Sequence, residues 1–286
     1  MIANGGKVAV LREYLDEDDR PAFALMRPED FRLWLANRPD LIVAGGAVSV
    51  ANFWLRHPDR RQYDGIGFMP ENARPGWYNL WKGFAVEPKP GDCGLFLAHL
   101  KENVAQGDEA LYRWVVGWLA DMVQHPGRKP GTSLVLRGKM GVGKTIIGKT
   151  MGQLLGRHYV VANRPRYITG QFNSHLVSCL LLHADEGFWA GDKAAEGVLK
   201  DLVTGDTHLV EFKNFEPIPV RNYIRLLVTS NENWVVPAGM EERRFATVTV
   251  GEAHMKDRPY FAAIEHQLEN GCYAALLDHL LKFDLA

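Results

Sequence analysis

Apolar residues recur along this chain at two spacings, and each spacing specifies a different element. Between Asp108 and Gln124, Leu111, Trp114, Val115, Trp118, Leu119 and Met122 fall three or four apart, which predicts an amphipathic helix with one buried stripe. Leu95–Asn103, Thr145–Leu155 (Ile146, Ile147, Thr150, Met151, Leu154, Leu155) and Pro259–Phe283 (Phe261, Ile264, Leu268, Leu276, Leu277, Leu280) predict helices on the same grounds. Four other runs are mainly apolar: Thr132–Leu136, His158–Ala162, Leu180 onward to Asp185, and Arg225 onward to Ser230. Such runs read as strands buried on both faces. Buried strands alternating with helices predict an α/β core, a parallel sheet with helices on both faces.

The first 90 residues follow no sustained period. Lys7–Arg12 predicts a short strand after the Asn4-Gly5-Gly6 turn, and Glu29–Asn37 and Ala47–Arg56 predict short helices. Asp64–Pro90 is rich in Gly, Pro and aromatics and predicts extended chain with a few strands. His125–Gly131 carries the stop signals of a linker. The expected organisation is an appended β/α region over 1–90, a helical collar over 91–128, the α/β core over 129–250 and a C-terminal helical region over 251–286.

Composition narrows the function. The chain has 286 residues, 47% hydrophobic, with a formal net charge of −1, so any contact with nucleic acid must be local or built up by oligomerisation. Cys93, Cys179 and Cys272 are far apart and form no ligand pattern, which suits free thiols in a reducing cytoplasm. No stretch approaches the ~18 apolar residues of a membrane span, and the N-terminus lacks the order of a signal peptide. A soluble protein of the bacterial or phage-infected cytoplasm is expected.

Chemistry enters at Gly138-Lys139-Met140-Gly141-Val142-Gly143-Lys144-Thr145, followed by Ile146. This is the G-x-x-x-x-G-K-[ST] phosphate loop, in the strand–loop–helix setting that it needs. Glycines let consecutive N–H groups wrap a phosphate, Lys144 reaches the β- and γ-phosphates, and the Thr145 hydroxyl is a ligand for Mg²⁺. The run ending in Asp185-Glu186 delivers two carboxylates from a strand end. Asp185 then suits the Mg²⁺ shell and Glu186 the orientation of an attacking water. Asn231 ends another strand, where it either contacts the γ-phosphate or merely starts a turn. Arg243 and Arg244 can neutralise a transferring phosphoryl group from a neighbouring subunit, or belong to a solvated cluster with Glu241 and Glu242. The alternating runs on either side of Lys213-Asn214-Phe215-Glu216-Pro217 predict a β-hairpin. A Lys and a Phe at its tip would suit a phosphate backbone and a stacked base, and an ordinary hairpin with a charged tip fits equally well.

With these motifs in this order, Thr132 to about Val250 resembles the superfamily 3 helicases of the AAA+ class. The most specific segment is Leu199–Gly205 with Glu211-Phe212-Lys213 and Thr229-Ser230-Asn231. Tyr78–Phe84, Gly170–Asn173 and Glu242-Arg243-Arg244-Phe245 make the chain similar to the helicase module of phage and prophage primase-helicase proteins. The resemblance implies ATP hydrolysis with Mg²⁺, a homo-oligomeric ring, hexameric in that family, and single-stranded or forked DNA gripped by the hairpin. It puts the family's basic hairpin residue on Lys213, with Asn214 where many members carry His, and the finger arginine on Arg244, with Arg243 as alternate. Residues 1–90 lack spaced catalytic carboxylates with a flanking His. Any primase-polymerase partner would therefore lie outside this chain. A non-helicase AAA+ ATPase, such as a replication initiator or packaging motor, and a nucleotide-dependent assembly scaffold are the alternatives.

Overall fold

Five parallel strands form the centre of the larger part of the molecule, because their residues are apolar on both faces and each lies between helices. The computed structural model describes residues 1–4, 6–17, 19–164, 166–170, 173–185, 193–212, 215, 217–231 and 243–286. Its contacts divide the chain into two units, Met1–Leu80 and Trp81–Ala286.

In the first unit β1 (Ile2–Asn4), β2 (Lys7–Leu15) and β3 (Pro21–Met26) form an antiparallel sheet in that order. Phe31 of α1 (Pro28–Trp34) and Ala51 of α2 (Val50–Arg56) pack with Val10 of β2. The helix expected over Ala47–Arg56 starts later. β4 (Leu41–Val43) and β5 (Gly46–Val48) form a hairpin, and the Ser49 hydroxyl accepts from the Asn52 amide to cap α2 at Val50. Gly45 and Gly46 take positive φ at the hairpin turn, which commits Ala47 and Val48 to the strand. The helix expected over Glu29–Asn37 ends at Trp34. β6 (Gly65–Gly67) and β7 (Trp77–Asn79) are the strands within the Gly- and aromatic-rich stretch.

In the second unit α3 (Gly94–Ala98) runs into a π-helical stretch, His99–Val104, and α4 (Glu109–Gln124) follows, capped by Asp108. The core strands are β8 (Ser133–Arg137), β9 (Tyr159–Ala162), β10 (Leu181–Asp185), β13 (Arg225–Ser230) and β14 (Phe245–Thr249). All pair in parallel in the order β14-β8-β13-β10-β9. Between them come α5 (Lys144–Leu155), α6 (Arg166–Thr169), α7 (Lys193–Thr204) and the antiparallel hairpin β11 (Thr207–Val210) and β12 (Ile218–Arg221). α8 (Arg258–Gln267) and α9 (Tyr273–Lys282) close the unit.

On one face of the sheet Val135, Leu182, Ala184, Leu226 and Val228 pack with Leu199, Leu202 and Val203 of α7. α4 is tied to the sheet by Arg225, whose Nη2 donates to Asp121 Oδ2 (2.9 Å) and to the His125 carbonyl (2.9 Å). Among the described residues no helix is long and apolar enough to cross a membrane.

Candidate functional site

β8 ends at Arg137 and α5 begins at Lys144, so the glycine loop lies between the carboxyl end of a central strand and a helix N-terminus. That junction presents backbone N–H groups and the positive end of the helix dipole. Gly143 turns the chain into the helix at φ +91°, and a Cβ there would lie 2.6 Å from the rings of His99 and Phe261. Only glycine fits.

The Lys144 ammonium is held in place inside the loop. It donates to the carbonyls of Gly138 (2.7 Å) and Lys139 (2.8 Å) and to Asn231 Oδ1 (3.0 Å). Asn231 reaches it because β13 lies beside β8, and the ladder continues into the loop through Gly138 N donating to the Ser230 carbonyl. Asp185, at the end of β10 on the other side of β13, accepts from Thr229 Oγ1 (2.5 Å) and from Thr145 Oγ1 (3.4 Å). Lys144, Thr145, Asp185, Thr229 and Asn231 line one cleft of about 90 Å³. The cleft's lining is polar: an ammonium, hydroxyls, a carboxylate and an amide converge on it.

The loop is also held from behind. Three successive carbonyls have partners: Gly141 O accepts from Lys256 N (2.8 Å), Val142 O from Asn103 Nδ2 (2.8 Å), and Gly143 O lies 3.3 Å from His99 Nε2. Tyr260 OH meets His99 Nδ1 at 3.1 Å, so His99 carries its proton on Nε2 and donates it to Gly143. Burial lowers the His99 pKa to about 4 and keeps the ring neutral.

A second polar group lies under Asp185. Tyr159 OH is 2.7 Å from His183 Nδ1, and His183 Nε2 is 2.9 Å from Thr229 Oγ1. Burial pushes the His183 pKa down and the Tyr159 pKa up, so both are neutral.

Thr145 and Asp185 offer a hydroxyl and a carboxylate, hard oxygen donors beside the phosphate cleft. That donor set fits Mg²⁺, which takes one or two carboxylates and completes its shell with water and phosphate oxygens. Among the described residues there is no cluster of three or more His, Cys, Asp or Glu side chains able to hold a metal on its own.

Of the residues singled out in the sequence, Gly138, Met140, Gly141, Val142, Gly143, Lys144, Thr145 and Ile146 form the loop and first helical turn, with Asp185 and Asn231 beside it. Met140 is exposed and Val142 buried. Glu186 follows Asp185 but lies outside the described residues, as do Lys213 and Asn214. The hairpin stands where alternation predicts it, and Phe215 N donates to the Phe212 carbonyl at its tip (3.1 Å). Arg243 and Arg244 are not in the cleft. The Arg244 carbonyl accepts from Ser133 N (2.8 Å), at the opposite end of β8 from the loop. His99, Asn103, Tyr159 and Tyr260 belong to none of the motifs, and His183 and Thr229 fall within motif runs without a role of their own. Their contacts join segments far apart along the chain.

Residues 136–244 match a family of unknown function (DUF5906). Over 155 residues the chain is 23% identical to the DNA primase-polymerase of Nitratiruptor phage NrS-1, a match covering 53% of this chain and 21% of that protein. The fold is similar to the apo structure of the NrS-1 C-terminal region (305–718), with a TM-score of 0.72 at 17% identity over 96% of this chain and 67% of the other. A second apo form of that region gives a TM-score of 0.70 at 16% identity and the same coverage. The chain is thus related to the C-terminal region of a phage primase-polymerase.

Proposed function

We propose that this chain is an ATP hydrolase of phage or prophage DNA replication, working with Mg²⁺ and moving on DNA as a ring in the manner of superfamily 3 helicases. The observation that carries this reading is the convergence of Lys144, Thr145, Asp185 and Asn231, from three separate segments, on one small polar cleft at the carboxyl edge of a parallel sheet.

The residues divide the work. The loop amides and the Lys144 ammonium bind the phosphates and neutralise charge on the transferred group. Asn231 gives its Oδ1 to Lys144, which turns its Nδ2 into a donor for a phosphoryl oxygen or the attacking water. Thr145 and Asp185 would hold Mg²⁺, which when bound neutralises developing phosphate charge. Glu186, next along the chain, is the candidate to orient and deprotonate the water. The length of β8, about 16 Å at the strand rise, separates Arg244 from its own loop. That exceeds an arginine's reach, so the finger role belongs to a neighbouring copy. Lys213 and Phe215, in the segment that joins β11 to β12, are the proposed contacts to DNA.

The relation to a phage primase-polymerase C-terminal region supports a place in replication, and the hydrolytic reading rests on the cleft itself. The test is ATP turnover with Mg²⁺, with and without single-stranded DNA, followed by displacement of a labelled strand from a fork. DNA-stimulated turnover with strand displacement is expected. Turnover without displacement would move the non-helicase ATPase ahead.

A further inference from the structure

We infer that Tyr159, His183 and Thr229 form a one-way hydrogen-bond chain that positions the Asp185 carboxylate for a divalent cation. This rests on the nucleotide-hydrolysis reading of the cleft and assigns a role to Thr229 of its lining and to two residues behind it.

The register of the sheet brings the three together. Asp185 pairs with Thr229 across β10 and β13, and Leu181 pairs with Tyr159 across β10 and β9. Side chains alternate along a strand, so Leu181, His183 and Asp185 share a face, and Tyr159 and Thr229 share it from either side. This is the face opposite the one on which α7 packs. α5 makes room for it. A Cβ on Gly148 would lie 2.3 Å from His183 Nδ1, and one on Gly152 would lie 2.4 Å from the Tyr159 ring.

The direction follows from counting protons. Thr229 has one hydroxyl proton and gives it to Asp185 Oδ1 at 2.5 Å. Its oxygen must therefore accept from His183 Nε2 at 2.9 Å, which fixes the imidazole tautomer. Nδ1 is then an acceptor and takes the Tyr159 proton at 2.7 Å. Each donor has one acceptor, and the run ends on the carboxylate. His183 and Thr229 are each 1% exposed, so water does not compete for these bonds. The Asp185 carboxylate is thereby fixed 3.4 Å from the Thr145 hydroxyl. Apolar side chains would fill these positions at less desolvation cost, as Leu181 and Leu227 do beside them. A satisfied polar chain ending at the proposed ligand matches the outer-shell partners that orient metal-binding groups.

The test compares wild type with Thr229→Val, Thr229→Ser and Tyr159→Phe, using the full chain. Two affinities are measured: a non-hydrolysable ATP analogue in EDTA, and Mn²⁺ to the protein–analogue complex by electron paramagnetic resonance. Thr229→Val is expected to weaken Mn²⁺ binding about 10–100-fold beyond any change in its binding of the analogue in EDTA. Thr229→Ser keeps the hydroxyl and the Mn²⁺ affinity. Tyr159→Phe removes one remote oxygen, keeps the ring, and is expected to weaken Mn²⁺ about tenfold. It decides the matter if Thr229→Val fails to fold. Wild-type Mn²⁺ affinity in Tyr159→Phe, or equal losses with and without metal, overturns the positioning role and leaves the hydrolysis reading standing. A wild-type chain that binds no analogue at all overturns both.

Discussion

Asn103 Nδ2 donates to the Val142 carbonyl at 2.8 Å, across 39 residues of chain and with both partners buried. The π-helical stretch before the sheet thus reaches the phosphate loop directly. With Lys256 N on Gly141 and His99 on Gly143, it holds three neighbouring carbonyls on one side. The two supports are joined to each other, because Gly251 N donates to the Asn103 carbonyl at 2.8 Å. The loop is therefore shaped before any ligand arrives, which lowers the ordering cost of binding.

Asn103→Ala leaves the Val142 carbonyl buried without its donor. Such a loss typically costs about 1–3 kcal/mol. The expected result is a lower melting temperature and weaker binding of an ATP analogue. Unchanged values for both would show that the loop holds its shape without this bond.

Gly148→Ala sets two effects against each other. Alanine in a helix gains about 0.5–1 kcal/mol over glycine, and overpacking typically costs about 1–3 kcal/mol. With the new Cβ 2.3 Å from His183 Nδ1, the clash should win. Denaturant unfolding measures the balance, and a stabilised variant would mean that α5 can shift off the sheet.

Lys144→Ala should abolish ATP turnover, since it removes the cation that three acceptors hold in the loop. Glu186→Gln should bind Mg·ATP and hydrolyse it about 10²–10⁴-fold more slowly. Near wild-type turnover in the lysine variant would sink the phosphate-site assignment.

Arg244→Ala should bind nucleotide normally and turn it over poorly, because the residue lies at the far end of β8 from its own loop. Mixing it with Glu186→Gln should restore part of the activity through interfaces that retain both residues. The absence of rescue in demonstrably mixed assemblies would remove Arg244 from the reaction.

Acidification should destabilise the fold between about pH 6.5 and 4. His99 and His158 are each lowered to about 4 by burial, while an unfolded histidine titrates near 6.5. The unfolded chain then binds more protons in that window, so stability falls as pH falls, by at most about 1.4 kcal/mol per pH unit for each. His158 has no room for a second proton: it accepts from Lys82 N on Nε2 and donates from Nδ1 to the Ser178 carbonyl. Urea midpoints measured at pH 7 and pH 5 check this, and equal midpoints would refute it.

The strand–loop–helix junction was legible in the sequence because it is contiguous: β8, six loop residues and the start of α5 occupy one stretch of chain. The hairpin was legible for the same reason, since β11 and β12 pair across a short connection. The split of Ala47–Arg56 into strand and helix was missed, because Gly45–Gly46 and Ser49 act through turn and cap geometry, which an apolar count overlooks. The contacts of Asn103 and His99 were hidden by distance along the chain. His183 lies inside an apolar run and Thr229 in the polar Thr229-Ser230-Asn231 end of its strand, and neither run marks a partner across the sheet.

The chain from Tyr159 to Asp185 draws its members from three adjacent strands, β9, β10 and β13, which pair only in parallel and across long crossovers. Parallel pairing of this kind forms slowly, because loop closure must precede any contact. The glycine loop shares this schedule, because its supports at His99, Asn103 and Lys256 and its partner Ser230 are also remote along the chain. The loop and the carboxylate beside it therefore reach their final geometry together, late in folding, once β13 stands between β8 and β10.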